Sequence, residues 1–580
     1  MKENSKTYTA LTIGPIYRTI SQARKTRELW GASYMFSYIM RKIIEGLGDT
    51  TKCCLPYHKD MLNLAKSKGA GLFPDRLIYE GDVRAKIKTV SEEVISKISD
   101  VSGLPNEYLQ HYFRINSIVF TLPQQVPLTI GAINKTTTDK NLVFIADKLL
   151  DSTELHEMYH NEITDIDWKL AIDRLNGKIF YREAFTGKDN SFKFPSIPEI
   201  ATDDFRRKNK KAYYDLVNQI LYSPSQTSET PEEIEENNQR DFLNSLKSNK
   251  DFNPIKLRPY HKYIAVVQAD GDNIGQTIRT IGENPNDVKN FSSALFEFDI
   301  EAARLIKEYG GKSVYVGGDD LLFFAPVAVY AERHTQSIER ETNLSFLDTI
   351  FSLLSKIDKA FENKVINSQS LKHLYQSGGS LESIKPTMSY GISITYSKYP
   401  LNEAREKAYT NLMKAKEIKN DKNKICFSVQ KHSGQTFGFT IDKKKISTVN
   451  NTPGSFNQFM KMVNSIPVIE GEKLLTSIIY KLAPLHALLV RIAQDKQRLD
   501  TFFAQEFDID KDITRMSQKE IAKKEFIESI VNFYYSLSND FSADNKLLPA
   551  NESDEEATNI GKLYSTLRFV KHLTDEDNEQ

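Results

Sequence analysis

Two acidic turns carry the clearest chemistry in this sequence. Asp270-Gly271-Asp272 closes the apolar run Tyr263 to Ala269. Gly317-Gly318-Asp319-Asp320 lies between Ser313-Val314-Tyr315-Val316 and Leu321-Leu322-Phe323-Phe324. A strand that ends in a carboxylate and a tight hairpin that carries two more can converge on one point. Carboxylates within ~4 Å repel by roughly 1 to 4 kcal/mol, depending on local polarity. They raise each other's pKa unless a cation holds them ionised. Oxygen donors of this kind suit Mg²⁺ or Mn²⁺, and two such ions are a common means of moving a phosphoryl or nucleotidyl group. The glycines leave room for a triphosphate to approach the backbone. The tetrapeptide alone also fits an ordinary hairpin with exposed acids; the first acidic turn in the same unit weighs against that.

The elements that must position these residues follow from hydrophobic period. Between 259 and 435 the sequence predicts strand 263–269, helix 287–309, strands 313–317 and 320–325, helix 345–364, strand 387–396, helix 402–419 and strand 424–429. Phe291, Leu295, Phe298, Leu305 and Tyr309 lie close to one helical face, and Tyr390, Ile392 and Ile394 alternate as in a half-buried strand. The order is β-α-β-β-α-β with an extra helix and strand, a ferredoxin-like unit. Residues 1–90 give half of a similar unit: strand 8–13, a helix over 20–44, an apolar segment 53–57, and a hairpin from Gly69–Phe73 into Arg76–Tyr79. Residues 91–258 read as mostly helical, with a polar linker at 223–240. Residues 455–580 read as a helical domain with an apolar stripe at Leu474, Leu475, Ile478, Ile479 and Leu482, interrupted by Pro484. The fold class is α+β.

Composition narrows the possibilities. The chain has 580 residues, with 77 basic and 77 acidic side chains. No overall positive field announces nucleic acid, so any RNA contact is local or made through partners. Three cysteines, Cys53, Cys54 and Cys426, rule out a disulfide framework and a four-cysteine zinc site. The first residues lack the apolar segment of a signal peptide and no run of 18 apolar residues occurs, so the expectation is a cytoplasmic protein without a membrane span.

Here the sequence resembles a family. The palm domains of nucleotidyl and diguanylate cyclases have this layout. The large subunit of type III-B CRISPR effector complexes matches further, through Ala269-Asp270-Gly271-Asp272-Asn273-Ile274-Gly275, Gly317 to Asp320, and Leu412-Met413-Lys414-Ala415-Lys416 leading to Asn423-Lys424-Ile425. The N-terminal stretches Ile13-Gly14-Pro15, Ser21 to Ser33 and Gly71-Leu72-Phe73-Pro74-Asp75-Arg76 resemble its first palm. The resemblance implies two palm domains facing each other, a helical insert, a C-terminal helical bundle, and nucleotides bound between the palms. It implies that Asp270, Asp319 and Asp320, with the Gly271 carbonyl, bind two Mg²⁺ or Mn²⁺ ions. Asn273, Gly275, Gly317 and Gly318 border the nucleotide, and Lys416 reaches the triphosphate. The implied activity is synthesis of a cyclic oligoadenylate messenger from ATP, switched on by target RNA paired to a CRISPR RNA held by other subunits. No histidine is followed by Asp, so the HD nuclease of many relatives is not expected, nor is their cysteine zinc finger. The first palm has Gly71 to Asp75 where the second has its acidic hairpin, and is expected to bind nucleotide without catalysing.

Two other readings remain open. The same palm could join AMP to another acceptor, such as S-adenosylmethionine, or serve as a non-catalytic scaffold of the complex. A stand-alone diguanylate cyclase fits less well, because Asp320-Leu321-Leu322 stands where that group has Glu-Phe. His156-Glu157-Met158-Tyr159-His160 matches HExxH, a zinc-site spacing; with no third ligand beyond Glu162 or Glu183 in view, a polar helix face is the reading. Cys53, Cys54 and His58 read as a buried strand and its flank. Arg18, Arg24, Lys25 and Arg27 read as a functional or subunit-contact group.

Overall fold

The computed structural model describes residues 5–130, 133–156, 168–185, 193–222, 231–332, 345–417, 422–444, 453–464, 472–482, 484–507, 518–539 and 558–575. Two antiparallel sheets share one strand order. In the first, Cys53–Leu55, Arg76–Glu80, Lys6–Gly14 and Arg114–Leu122 lie side by side in that sequence. In the second, Lys312–Gly317, Asp320–Pro326, Tyr263–Asp272 and Thr387–Tyr396 repeat the pattern. Each is the 2-3-1-4 order of a ferredoxin-like unit. The second sheet continues through Lys424–Gln430, parallel to Thr387–Tyr396, and Thr436–Asp442. The first sheet therefore closes beyond residue 90, with strand 114–122 taken from a region the sequence marks as helical.

The main helices have local causes. Helix Pro285–Tyr309 starts with Pro at its first position and an Asn284 side chain that accepts from the Asn286 N–H (3.1 Å). It ends at Gly310, whose φ of 107° is left-handed. It buries Phe291, Leu295, Phe298, Ala302 and Ile306. Helix Thr26–Leu47 begins where the Glu28 carboxylate accepts from the Arg24 and Lys25 N–H groups (2.8 and 3.2 Å), and it is buried along most of its length. Within it Trp30 stacks on Tyr34 and Phe194 and donates to the Gly69 carbonyl (3.0 Å). One continuous apolar core joins both sheets and the C-terminal helices; a smaller one gathers around Phe205, Tyr213, Phe242 and Phe252.

Several expectations need correction. The hairpin expected at 69–79 is absent: strand Arg76–Glu80 pairs with Cys53–Leu55 and Lys6–Gly14. Gly71 instead bridges to Tyr315 of the second sheet. The early helix divides into Ile16–Ser21 and Thr26–Leu47. The acidic segment from 231, read as part of a linker, is helix Pro231–Ser248; its apolar Phe242, Leu243 and Leu246 pay for ordering that composition alone disfavours. Residues 345–349 form a strand against Ala328–Glu332 before helix Ile350–Phe361 begins. No single described helix is long and apolar enough to cross a membrane.

Helix Leu401–Lys416 crosses the second sheet so closely that a Cβ at Gly391 would collide with the Ala408 carbonyl and the Leu412 N–H of that helix. Gly391→Ala should therefore destabilise the protein by about 1 to 3 kcal/mol, read by urea unfolding. A variant as stable as the parent would contradict this packing.

Candidate active site

The register of the second sheet brings the two acidic turns together. Ala269 pairs with Leu321 on the neighbouring strand, and Gly317 with Asp320 across the hairpin. One step beyond the first pair lie Asp270 and Asp320. The Gly271 N–H donates to the Asp319 carbonyl (3.1 Å). A Cβ at Gly271 would lie 2.6 Å from the Asp319 Cβ and 3.1 Å from its Oδ2, so only glycine permits this approach. Gly318 holds a left-handed φ of 72° at the hairpin tip.

The electrostatics match that crowding. Burial, then the charge of Asp270, pushes the Asp319 carboxyl up. Burial, then Asp319 and Asp270, pushes Asp320 up further. By accessible area Asp320 is exposed and Asp319 half-exposed, yet protein encloses both on most sides; groups lining a narrow cleft combine the two. Lys416 supplies the nearest positive charge. Its ammonium pairs with Asp270, donates to the Gly271 carbonyl (3.1 Å) and lies 3.8 Å from Asp272.

The nine residues singled out in sequence fall in one region. Asp270, Gly271, Asp319, Asp320, Gly317, Gly318 and Lys416 meet directly or through the hairpin. Asn273, at a left-handed φ of 62°, precedes helix Ile274–Ile281. Gly275 lies in that helix's first turn, where a Cβ would meet nothing within 4 Å. Among the described residues, no three His, Cys, Asp or Glu side chains already form a closed ion cage; Asp270 is turned to Lys416. The donor set still fits a hard divalent cation: three carboxylates and a carbonyl, two of the acids pushed up by burial and then by their neighbours' charge, with an ammonium beside them.

Two acids that sequence reasoning did not assign matter here. Asp272 is fully buried; its Oδ2 accepts from Thr387 Oγ1 (2.8 Å), Ser389 Oγ (2.8 Å) and the Asn423 N–H (3.0 Å). Asp299 is buried on helix 285–309, and its Oδ2 accepts from the Gly318 N–H (2.8 Å). The signal for Asp299 was available: an acid inside the apolar stripe of Leu295, Phe298 and Ala302.

The first palm touches this site. The Val316 N–H donates to the Gly71 carbonyl (3.1 Å), and Phe73 packs near Phe296. Ser292 Oγ accepts from the Tyr57 N–H (2.8 Å). Asp75 adds to the negative charge felt by Tyr315 and Asp320. The other marked groups serve elsewhere. Arg27 pairs with Asp173 (3.1 Å). Glu183 pairs with Arg41. Cys53 and Cys54 are buried, their thiols pushed up to about 12 and 11 by burial, and the His58 ring stacks on Phe296. His156 ends helix Leu142–His156, while Glu157, His160 and Glu162 lie outside the described residues.

Two ferredoxin-like sheets in contact, one bearing an acidic hairpin beside a second acidic turn, define a double-palm protein of the nucleotidyltransferase-type fold. Comparison with known proteins carries this further. Residues 263–426 match the model for the Cas10/Cmr2 second palm domain, and residues 8–101 match that for the N-terminal region of CRISPR-associated protein Cmr2. The CRISPR system Cmr subunit Cmr2 of Pyrococcus furiosus is 26% identical over 278 residues, 43% of this chain and 27% of that protein; the match thus spans about a quarter of the relative's length. Cryo-EM structures of type III-B Cmr-beta share the fold. The apo state has a TM-score of 0.56 at 13% identity, covering 93% of this chain and 82% of that one. The form bound to cognate target RNA has a TM-score of 0.52 at 14% identity, covering 93% and 83%. Over these two stretches the chain is similar to the Cas10/Cmr2 family, and it shares the fold of the type III-B Cmr-beta structures.

Raised carboxyl pKa values have a definite sign. The folded state of the metal-free protein holds protons on Asp319 and Asp320 more tightly than the unfolded chain, so stability falls as pH rises through the unfolded value of about 4 toward the folded values. Asp320→Asn removes this penalty. It should raise the melting temperature of metal-free protein at pH 8 by on the order of 1–2 °C, with the gap closing toward pH 4. An equal or lower melting temperature at pH 8 would show that the acids are not in repulsive contact.

Proposed function

We propose that this chain is a target-RNA-activated nucleotidyltransferase that converts ATP to a cyclic oligoadenylate second messenger for antiviral defence. The observation that carries the reading is the contact between the two acidic turns, where like charges crowd against Lys416. Asp270, Asp319, Asp320 and the Gly271 carbonyl would hold Mg²⁺ or Mn²⁺. Bound there, the ions would lower the pKa of an attacking hydroxyl and neutralise charge at the reacting phosphate.

The chain's own residues account for the rest. Gly317, Gly318 and Gly275 keep side chains away from the path of a triphosphate. The first turn after Asn273 presents backbone N–H groups, which favour phosphate oxygens. Lys416 would leave Asp270 for the triphosphate when a divalent cation takes over that carboxylate. The first palm, in contact through Gly71, would close the other side of the nucleotide site. Positioning and charge stabilisation are most of what nucleotidyl transfer requires of a protein.

The similar proteins are a Cmr subunit and Cmr-beta assemblies, one bound to cognate target RNA. By extension we infer that this chain works with other effector subunits, a CRISPR RNA and target RNA, in the cytoplasm. The metal half-site would serve equally well if AMP were joined to S-adenosylmethionine, so the acceptor is decided by product analysis.

The assembled complex, given matching target RNA, ATP and Mg²⁺ or Mn²⁺, with and without S-adenosylmethionine, should yield an RNA-dependent adenylate product identifiable by mass. Asp319→Ala combined with Asp320→Ala should lower its formation by at least about 10³-fold, with assembly intact. Unchanged product from the double variant, or none from the parent under any of these conditions, would leave a scaffold as the better reading.

A further inference from the structure

We propose that Asp299 is a positioning residue for the Gly-Gly-Asp-Asp turn: from the buried face of helix 285–309 it holds the Gly318 N–H and so fixes how Asp319 and Asp320 present their carboxylates. This rests on the nucleotidyl-transfer reading of the site. Three polar contacts from three elements restrain the hairpin tip. Tyr315, on the strand before it, donates its hydroxyl to the Gly317 carbonyl (3.3 Å). The Gly271 N–H, at the end of the central strand, donates to the Asp319 carbonyl (3.1 Å). Asp299, from the helix beneath, accepts from Gly318 (2.8 Å). The last is the shortest of the three, and a Cβ at Gly318 would meet nothing within 4 Å, so no packing stands in for it.

The carboxyl group is an expensive way to make this bond. Asp299 is 2% exposed, and its Oδ1 has no hydrogen-bond partner. Burying an unpaired polar atom disfavours folding, and such costs gather where geometry serves function. Burial holds the Asp299 carboxyl far above the usual range, with Asp319 and Asp320 adding to it and the Gly318 N–H opposing it. An amide oxygen can accept the Gly318 N–H as the carboxyl oxygen does, so a neutral side chain of the same shape can do the work.

Three variants test this: Asp299→Asn, Asp299→Ala and Asp299→Ser. In the assembled, RNA-activated complex, Ala should lower kcat about 10- to 100-fold, the loss of one buried acceptor, with KM for ATP within about twofold. Asn should stay within about threefold of the parent. In the full chain alone, Mn²⁺ affinity, followed by the electron paramagnetic resonance of free ion, should fall about tenfold for Ala and not for Asn, while amide exchange across 312–326 should speed up for Ala alone. If Ala does not fold, Ser replaces it in each arm. Parental kcat, Mn²⁺ affinity and exchange in Ala or Ser would overturn the proposal, as would an Asn variant as impaired as Ala. A parent protein that makes no nucleotide product overturns the function reading instead; the Mn²⁺ and exchange measurements still decide the role of Asp299.

Discussion

The structure around the second palm is organised by one unfavourable interaction: carboxylates brought together where water is partly excluded. Left to itself that arrangement would splay apart. It holds because the backbone leaves no alternative. Gly271 lets the central strand approach the Asp319 backbone, and the register of the ladder carries Asp270 toward Asp320. Lys416 offsets part of the repulsion from the end of helix 401–416. That helix in turn is seated by Gly391, so the cation's position depends on a missing Cβ on the strand below it.

Asp272 anchors the same region from behind. Its saturated Oδ2 ties the end of the central strand to Thr387 and Ser389 on the next strand and to the Asn423 N–H. Asn423 itself holds a left-handed φ of 69°. The two aspartates of the first turn thus have opposite duties. Asp270 is half-exposed and pairs with the Lys416 ammonium. Asp272 is wholly enclosed and bonded to the neighbouring strand and to the Asn423 backbone. A two-residue step along one strand turns its side chain to the same sheet face, and the difference in duty comes from depth along the strand.

Much of the second palm was legible because its elements obey simple periods. The central strand, the acidic hairpin, strand 387–396 and strand 424–430 are short apolar runs bounded by glycine or charge. The first palm was harder. Its fourth strand, Arg114–Leu122, mixes polar and apolar residues and lies mostly half-buried at the sheet edge, so no clean alternation marks it. Gly69 to Phe73 looked like a hairpin because glycines and apolar residues alternate there; the glycine at 71 instead lets the chain pass close to Ser37, and Phe73 takes its Oγ as acceptor (3.0 Å). Long-range contacts of that kind leave no local signature. Asp299 left a partial signature, an acid inside an apolar helical stripe, but its partner, the Gly318 N–H, is seen only in three dimensions.

The backbone link between Gly71 and Val316 has a mechanical consequence. It joins the halves of the molecule at a strand only a few residues from Asp319 and Asp320, so the two halves cannot slide past one another without tugging on the acidic tip. Twisting either half is transmitted through this backbone contact, which reaches the acidic hairpin from the irregular segment ahead of strand Arg76–Glu80.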